Sequence, residues 1–285
     1  MRTVITTFEG GSNRAIYTYD AVDPTQLMKV INNHPDYPSE ILLKYNKNGH
    51  LILDEASRTL DYDPLGRLSR VSGPSGGAPR SYSYTPVDTL AGMNEESGQE
   101  QRFYQGDQLA NQIKGADSST FIRGDEVVLA ELKAGGDPKS LMLATDHKNS
   151  VFSEVGKTGR NDVAYSAYGH RAQDASVSSS LGYNGERREE QTGWYFLGNG
   201  YRAFNPVLMR FNSPDSWSPF GEGGVNGYMY CLGDPIGFTD PTGHYSWVAR
   251  LFKLNTNSKG ANNIPAALRQ VPMGKPSAVL HKVTR

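Results

Sequence analysis

Apolar and polar residues alternate with a period of two along much of this chain. Thr59-Leu60-Asp61-Tyr62-Asp63 and Leu68-Ser69-Arg70-Val71-Ser72 are two such runs, set on either side of a turn that carries Pro64 and Gly66. A period of two places alternate side chains on opposite faces, so the pair predicts a β-hairpin with one wet face. The rhythm returns at 119–123, 126–132, 140–146 and 151–155, with Gly135-Gly136-Asp137-Pro138 and Asp146-His147-Lys148-Asn149-Ser150 as turns between strands. Residues 176–180 read as a short polar connector. Helical periodicity is almost absent from 183–244, which is dense in Gly, Pro, Tyr and Asn.

The hairpin unit repeats. Tyr45-Asn46-Lys47-Asn48-Gly49-His50-Leu51 is followed 17 residues later by Tyr62-Asp63-Pro64-Leu65-Gly66-Arg67-Leu68. Weaker copies stand at Tyr17-Thr18-Tyr19-Asp20, Tyr82-Ser83-Tyr84-Thr85-Pro86 and Phe103-Tyr104-Gln105-Gly106-Asp107. Asp or Asn after the Tyr can close a turn through its side chain, and the Gly supplies positive φ. A repeat of this length signals stacked units, because one hairpin is marginal alone. The expected fold is all-β, a curved or partial-shell sheet of repeat hairpins over 1–180.

Composition sharpens this picture. The 31 Gly, 16 Tyr and 10 Phe suit many short strands joined by many turns. One cysteine, Cys231, leaves no intramolecular disulfide framework and reads as a small buried hydrophobe. The six His are scattered without metal-ligand spacing, so neither metal nor cofactor is expected. The segment 221–224 lacks the Gly-Lys-Ser/Thr that completes a phosphate loop. The first residues lack the apolar core of a signal peptide, so synthesis in the cytoplasm and any export by a leaderless route are expected.

Charge divides the chain. Lys and Arg number 29 against 30 Asp and Glu, for a net charge of −1. Arg250, Lys253, Lys259, Arg269, Lys275, Lys282 and Arg285 all lie in 245–285, which has no Asp or Glu. The near-neutral total is therefore an acidic body joined to a basic tail, with a boundary at 244/245. Within the tail, 247–254 reads as a short amphipathic helix. The tail as a whole reads as a vestigial or partly disordered segment, as a cationic peptide for nucleic acid or anionic lipid, or as a strand of charge lying on its own acidic body.

The Tyr-Asp units resemble the YD repeats of the Rhs family, and 181–244 resembles its RHS repeat-associated core. The run is Tyr183-Asn184-Gly185-Glu186-Arg187, Thr192-Gly193-Trp194-Tyr195, Leu197-Gly198-Asn199-Gly200-Tyr201-Arg202, Met209-Arg210-Phe211 and Ser213-Pro214-Asp215. It closes with Ser218-Pro219-Phe220-Gly221, Tyr228, Tyr230-Cys231, Asp234-Pro235 and Asp240-Pro241-Thr242-Gly243-His244. The Ser-Pro-Phe-Gly and Tyr-x-Tyr-Cys variants look most like the C component of insecticidal Tc toxin complexes. The resemblance implies a toxin carrier in bacterial competition, a hollow β-shell, and a core that plugs it and acts as a single-turnover autoproteolytic aspartic protease.

Carried over by motif, the catalytic aspartates are Asp215 and Asp240, the motif arginine is Arg210, and Asp234 is a lesser third carboxylate. The cut would fall in the region of Gly243, His244 and Tyr245, freeing the basic tail. The implied partners are the chain's own tail as substrate or cargo, and a longer shell protein or a second copy at open sheet edges. The 244 residues before the tail amount to about a dozen hairpins, few for a shell that encloses a folded toxin. The competing reading is a non-enzymatic structural or binding β-protein that keeps the core as a folding unit.

Overall fold

The computed structural model describes residues 2–8, 11–73, 76–124, 127–171, 176–244 and 247–248. Strands dominate, and no α-helix occurs among the described residues. The chain divides into two compact units, with the break between Ile41 and Leu42. The first is built on an antiparallel sheet of β1 (Thr3–Phe8), β2 (Gly11–Tyr19), β3 (Leu27–Asn32) and β4 (Glu40–Leu42), in that order.

The second unit runs from Leu42 to Ala249. It starts with the hairpin β5 (Lys44–Tyr45) and β6 (Leu51–Leu53). An eleven-stranded antiparallel meander follows. Its strands are β7 (Leu60–Tyr62), β8 (Leu68–Val71), β9 (Arg80–Tyr84), β10 (Leu90–Glu95), β11 (Gly98–Gln105), β12 (Gln108–Lys114), β13 (Asp117–Gly124), β14 (Val127–Ala134), β15 (Lys139–Thr145), β16 (Val151–Gly156) and β17 (Gly159–Asp162). Each strand pairs with its sequence neighbours, and β7 and β17 stand at the two edges.

The predicted hairpin turns share one construction. Asp63 Oδ1 accepts from the N–H groups of Leu65 and Arg67, at 3.0 Å each, while Arg67 Nε donates to Asp63 Oδ2 at 2.7 Å. Asn46 Oδ1 takes the N–H groups of Asn48 and His50 in the same way. The fourth residue of each loop is left-handed, with φ of 80° at Gly49 and 82° at Gly66. The Thr85 copy closes by the same backbone bonds. Two further copies escape the Tyr-x-x-x-Gly pattern. Asp54 closes a loop on Ala56 and Arg58, and Asp146 closes one on Lys148 and Ser150. The copy at Phe103–Gln108 is instead a tight two-residue connection between β11 and β12, with Gly106 at φ 64°.

The face of the meander that packs on the core is part apolar and part acidic. Leu109, Phe121, Val128, Leu141, Leu143 and Val151 cluster there with Leu181. Between them stand Glu100, Glu131 and Glu154, all at most 1% exposed. Buried carboxylates demand partners, and residues 178–187 provide them. Glu131 accepts from the Ser179 hydroxyl, the Ser180 N–H and the Ser180 hydroxyl, at 2.9–3.0 Å. Glu154 accepts from the Ser178 and Ser179 N–H groups, and Arg187 pairs with Glu100 at 2.6 Å. The serine-rich stretch, a plain connector in sequence, is thus tied to the sheet by a ladder of hydrogen bonds.

The core segment packs by its aromatic rings. Tyr168, Tyr183, Tyr195, Leu197, Phe204, Phe211, Tyr230 and Cys231 form one buried cluster. A small sheet of β18 (Tyr195–Leu197), β19 (Arg202–Asn205) and β20 (Arg210–Phe211) runs through it. The helix expected over 247–254 is corrected at its start. Trp247–Val248 form strand β22, paired with β21 at Phe238–Thr239, and the rest of 247–254 lies outside the described residues. An aromatic and a β-branched residue side by side favour a strand over a helix.

Candidate functional site

Three turns bring the site together. Gly198, Asn199 and Gly200 all have positive φ and reverse the chain between β18 and β19, which sets Arg202 opposite Leu197. A Cβ on Gly198 would lie 2.1 Å from the Thr242 carbonyl oxygen, so only glycine lets the Asp240–Gly243 segment lie here. The Gly198 N–H donates to the Pro241 carbonyl at 3.1 Å. Asp215 follows β20, and its N–H donates to the Gly227 carbonyl at 2.9 Å.

Asp215 and Asp240 are both 4% exposed and converge on one guanidinium. It belongs to Arg202, whose Nη2 lies 3.1 Å from Asp215 Oδ2 and 3.7 Å from Asp240 Oδ2. The two carboxylates, 25 residues apart in sequence, are therefore no farther apart than those two lengths laid end to end. Arg202 also donates from Nε to the Gly243 carbonyl and from Nη1 to the Gly227 carbonyl at 2.7 Å. Its Cζ lies 3.6 Å from the centroid of the Phe211 ring. Burial pulls the Arg202 guanidinium below the usual arginine range, and Asp215 and Asp240 pull against that.

Asp240 is pushed up to about 6. Burial is the main cause, opposed by Arg202 and a backbone N–H bond from Gly243, and reinforced by the charge of Asp215. A carboxyl with that value keeps its proton through mildly acidic pH. Asp215 is held differently. Its Oδ1 accepts from the Trp217 N–H at 3.0 Å and lies 2.9 Å from His244 Nδ1. Two carboxylates in one buried site with unequal surroundings can divide acid and base roles.

The other sequence candidates fall as follows. Arg210 stands in β20 with its guanidinium 5.0 Å over the Tyr228 ring. The guanidinium between the aspartates is Arg202, not the Arg210 taken from the motif. Arg202 begins β19 beside the turn that receives the Asp240–Gly243 segment, whereas Arg210 reaches toward Tyr228. Asp234 is exposed and closes its own turn, accepting from the Ile236 and Gly237 N–H groups at 3.2 and 2.9 Å. Gly243 has φ 71° and presents its carbonyl to Arg202. His244 is in the site, and Tyr245 lies outside the described residues. The signal for Arg202 was its place in Gly-Asn-Gly-Tyr-Arg, directly after a tight turn.

Comparison with known proteins places the fold. No protein-family model matches the chain. Its all-β fold is that of Tc toxin structures. In the crystal structure of TcdB2-TccC3-Cdc42 the likeness covers 81% of this chain and 13% of that one, at TM-score 0.58 and 15% identity. In a Photorhabdus luminescens Tc holotoxin pore carrying a TccC3 mutation it covers 87% of this chain and 14% of that one, at TM-score 0.52 and 16% identity. In sequence, the chain is 24% identical over 260 residues to the tRNA3(Ser)-specific nuclease WapA of Bacillus spizizenii, which is 87% of this chain and 10% of WapA. The chain thus spans about a tenth of that curated relative.

Proposed function

We propose that this chain is an Rhs/Tc-type toxin-carrier element whose core cleaves its own backbone after the Asp240-Pro241-Thr242-Gly243-His244 segment. The observation that carries this reading is the single guanidinium of Arg202 contacting both buried carboxylates and the Gly243 carbonyl. Catalyst and substrate are then neighbours in one chain, which makes the reaction a single turnover.

Protonated Asp240 is the hydrogen-bond donor to the scissile carbonyl. Asp215 accepts a proton from the attacking water. Water adds to the carbonyl carbon, the carbon–nitrogen bond breaks, and the leaving amine takes up the proton that Asp215 removed from the water. The fold likeness to TccC3-containing structures and the sequence likeness to WapA support the toxin-carrier class. The basic segment after His244 is the cargo in this reading.

Intact-mass analysis of the purified chain tests it. A fragment beginning shortly after His244 is expected from the wild type and absent from Asp215→Asn and Asp240→Asn. Release should speed up as pH falls through about 6, where Asp240 gains its proton. A chain that stays whole across pH 4–8 leaves a non-enzymatic β-scaffold as the reading.

A further inference from the structure

We infer that Tyr201 and Trp217 form an imidazole-holding subsite that seats His244 on Asp215 and so fixes which peptide bond meets the carboxylate pair. The inference rests on the self-cleavage reading above and adds to it a specificity determinant. The His244 ring is stacked on both faces. The Tyr201 ring lies 3.8 Å away at 26°, and the Trp217 ring 4.3 Å away at 17°. Edge-on, Nδ1 meets Asp215 Oδ1 at 2.9 Å.

The walls of this clamp are themselves held. The Tyr201 hydroxyl donates to Ser216 Oγ at 2.9 Å and accepts from the Ser216 N–H at 3.1 Å. The backbone N–H of Trp217 donates to the same Asp215 oxygen that meets His244. The backbone N–H of His244 donates to Thr242 Oγ1 at 3.2 Å, and the preceding carbonyl is held by Arg202.

This combination selects a side chain by chemistry. Two parallel π faces accept a flat ring and favour a cationic one. The carboxylate edge requires an N–H donor. Imidazole satisfies both, while an aliphatic side chain at 244 satisfies neither. With the ring and the flanking carbonyl both pinned, the main chain at 244 has one register against Asp215 and Asp240. Tyr201 and Trp217 act through His244 and are positioning residues.

The test follows the masses and release rates of the full chain and four variants, three single and one double. The wild type is expected to be cut at one bond, directly after His244. His244→Ala should slow release by about a hundredfold, the size of effect that follows a misplaced substrate. His244→Phe keeps the stacking and should keep the same cut at an intermediate rate. Trp217→Ala should slow release like His244→Ala, and the double variant should be no slower than either single one. Trp217 is 44% exposed, so its truncation leaves the core intact, and circular dichroism checks this for each variant. A cut wild type with His244→Ala unchanged in rate and position overturns this inference alone. A wild type that is never cut overturns the self-cleavage reading and this one with it.

Discussion

Aspartates work in two settings in this molecule. In the repeat turns, Asp63 folds its side chain back onto its own loop and pairs with Arg67, four residues away. In the core, Asp215 and Asp240 come from distant segments and meet at an arginine from a third. The first arrangement is partly exposed, and Asp63 finds its partners within five residues, while Arg67 also reaches Asp88. The second exists only when the whole core is folded. The contrast separates a carboxylate that shapes its own backbone turn from two that share one buried cation.

The strongest way to break this contrast is to remove the shared cation. Arg202→Met leaves two buried carboxylates uncompensated and should cost about 3–5 kcal/mol in chemical denaturation. The matching change in the repeat, Arg67→Met, should cost less than about 1 kcal/mol, because that pair is partly solvated. Equal losses at the two arginines would dissolve the distinction.

Proton linkage sharpens it. Asp240 is raised in the folded chain, so the folded state holds its proton more tightly than the unfolded one. Its contribution is present in full below about pH 4 and is lost as pH rises through about 6, a change on the order of 2–3 kcal/mol. Thermal melts from pH 4 to 7 should show this fall in the wild type relative to Asp240→Asn, whose amide does not titrate. A wild type and variant with parallel profiles would contradict the raised value.

Turn aspartates should show a smaller effect. Asp63→Ala removes two backbone acceptor bonds and one ion pair and should cost about 1–2 kcal/mol. Asp63→Asn keeps an Oδ1 acceptor and should recover more than half of that. At Asp215 the same amide should restore little of the fragment release.

The repeat region was the most legible in sequence. The alternation at 59–72 predicted the β7–β8 hairpin, and the strands near 119–123, 140–146 and 151–155 are present as β13, β15 and β16. Local pattern suffices there because turn and partner strand adjoin in sequence. The Asp54 turn was hidden because Leu53 replaces the Tyr and Ser57, at φ 59°, replaces the Gly. Its surviving mark is an acidic residue four before a basic one. At the site, motif resemblance named Asp215 and Asp240, while Arg202 depended on the register of β18 with β19. The acidic part of the meander's inner face was also invisible, because Glu131 lies inward with Val128 while Leu129 and Leu132 are exposed, so alternation alone does not tell which face is buried. Glu131 and Glu154 became informative only with their serine partners beside them.

Gly198 carries a consequence for how this region tolerates genetic change. It donates no side chain and touches no carboxylate, yet any Cβ there would collide with the Thr242 carbonyl. In a saturation library read out by fragment release, every substitution at position 198 should therefore score with the losses at Asp215 and Asp240. A ranking of positions by intolerance alone would place a residue with no reactive group of its own beside the two aspartates.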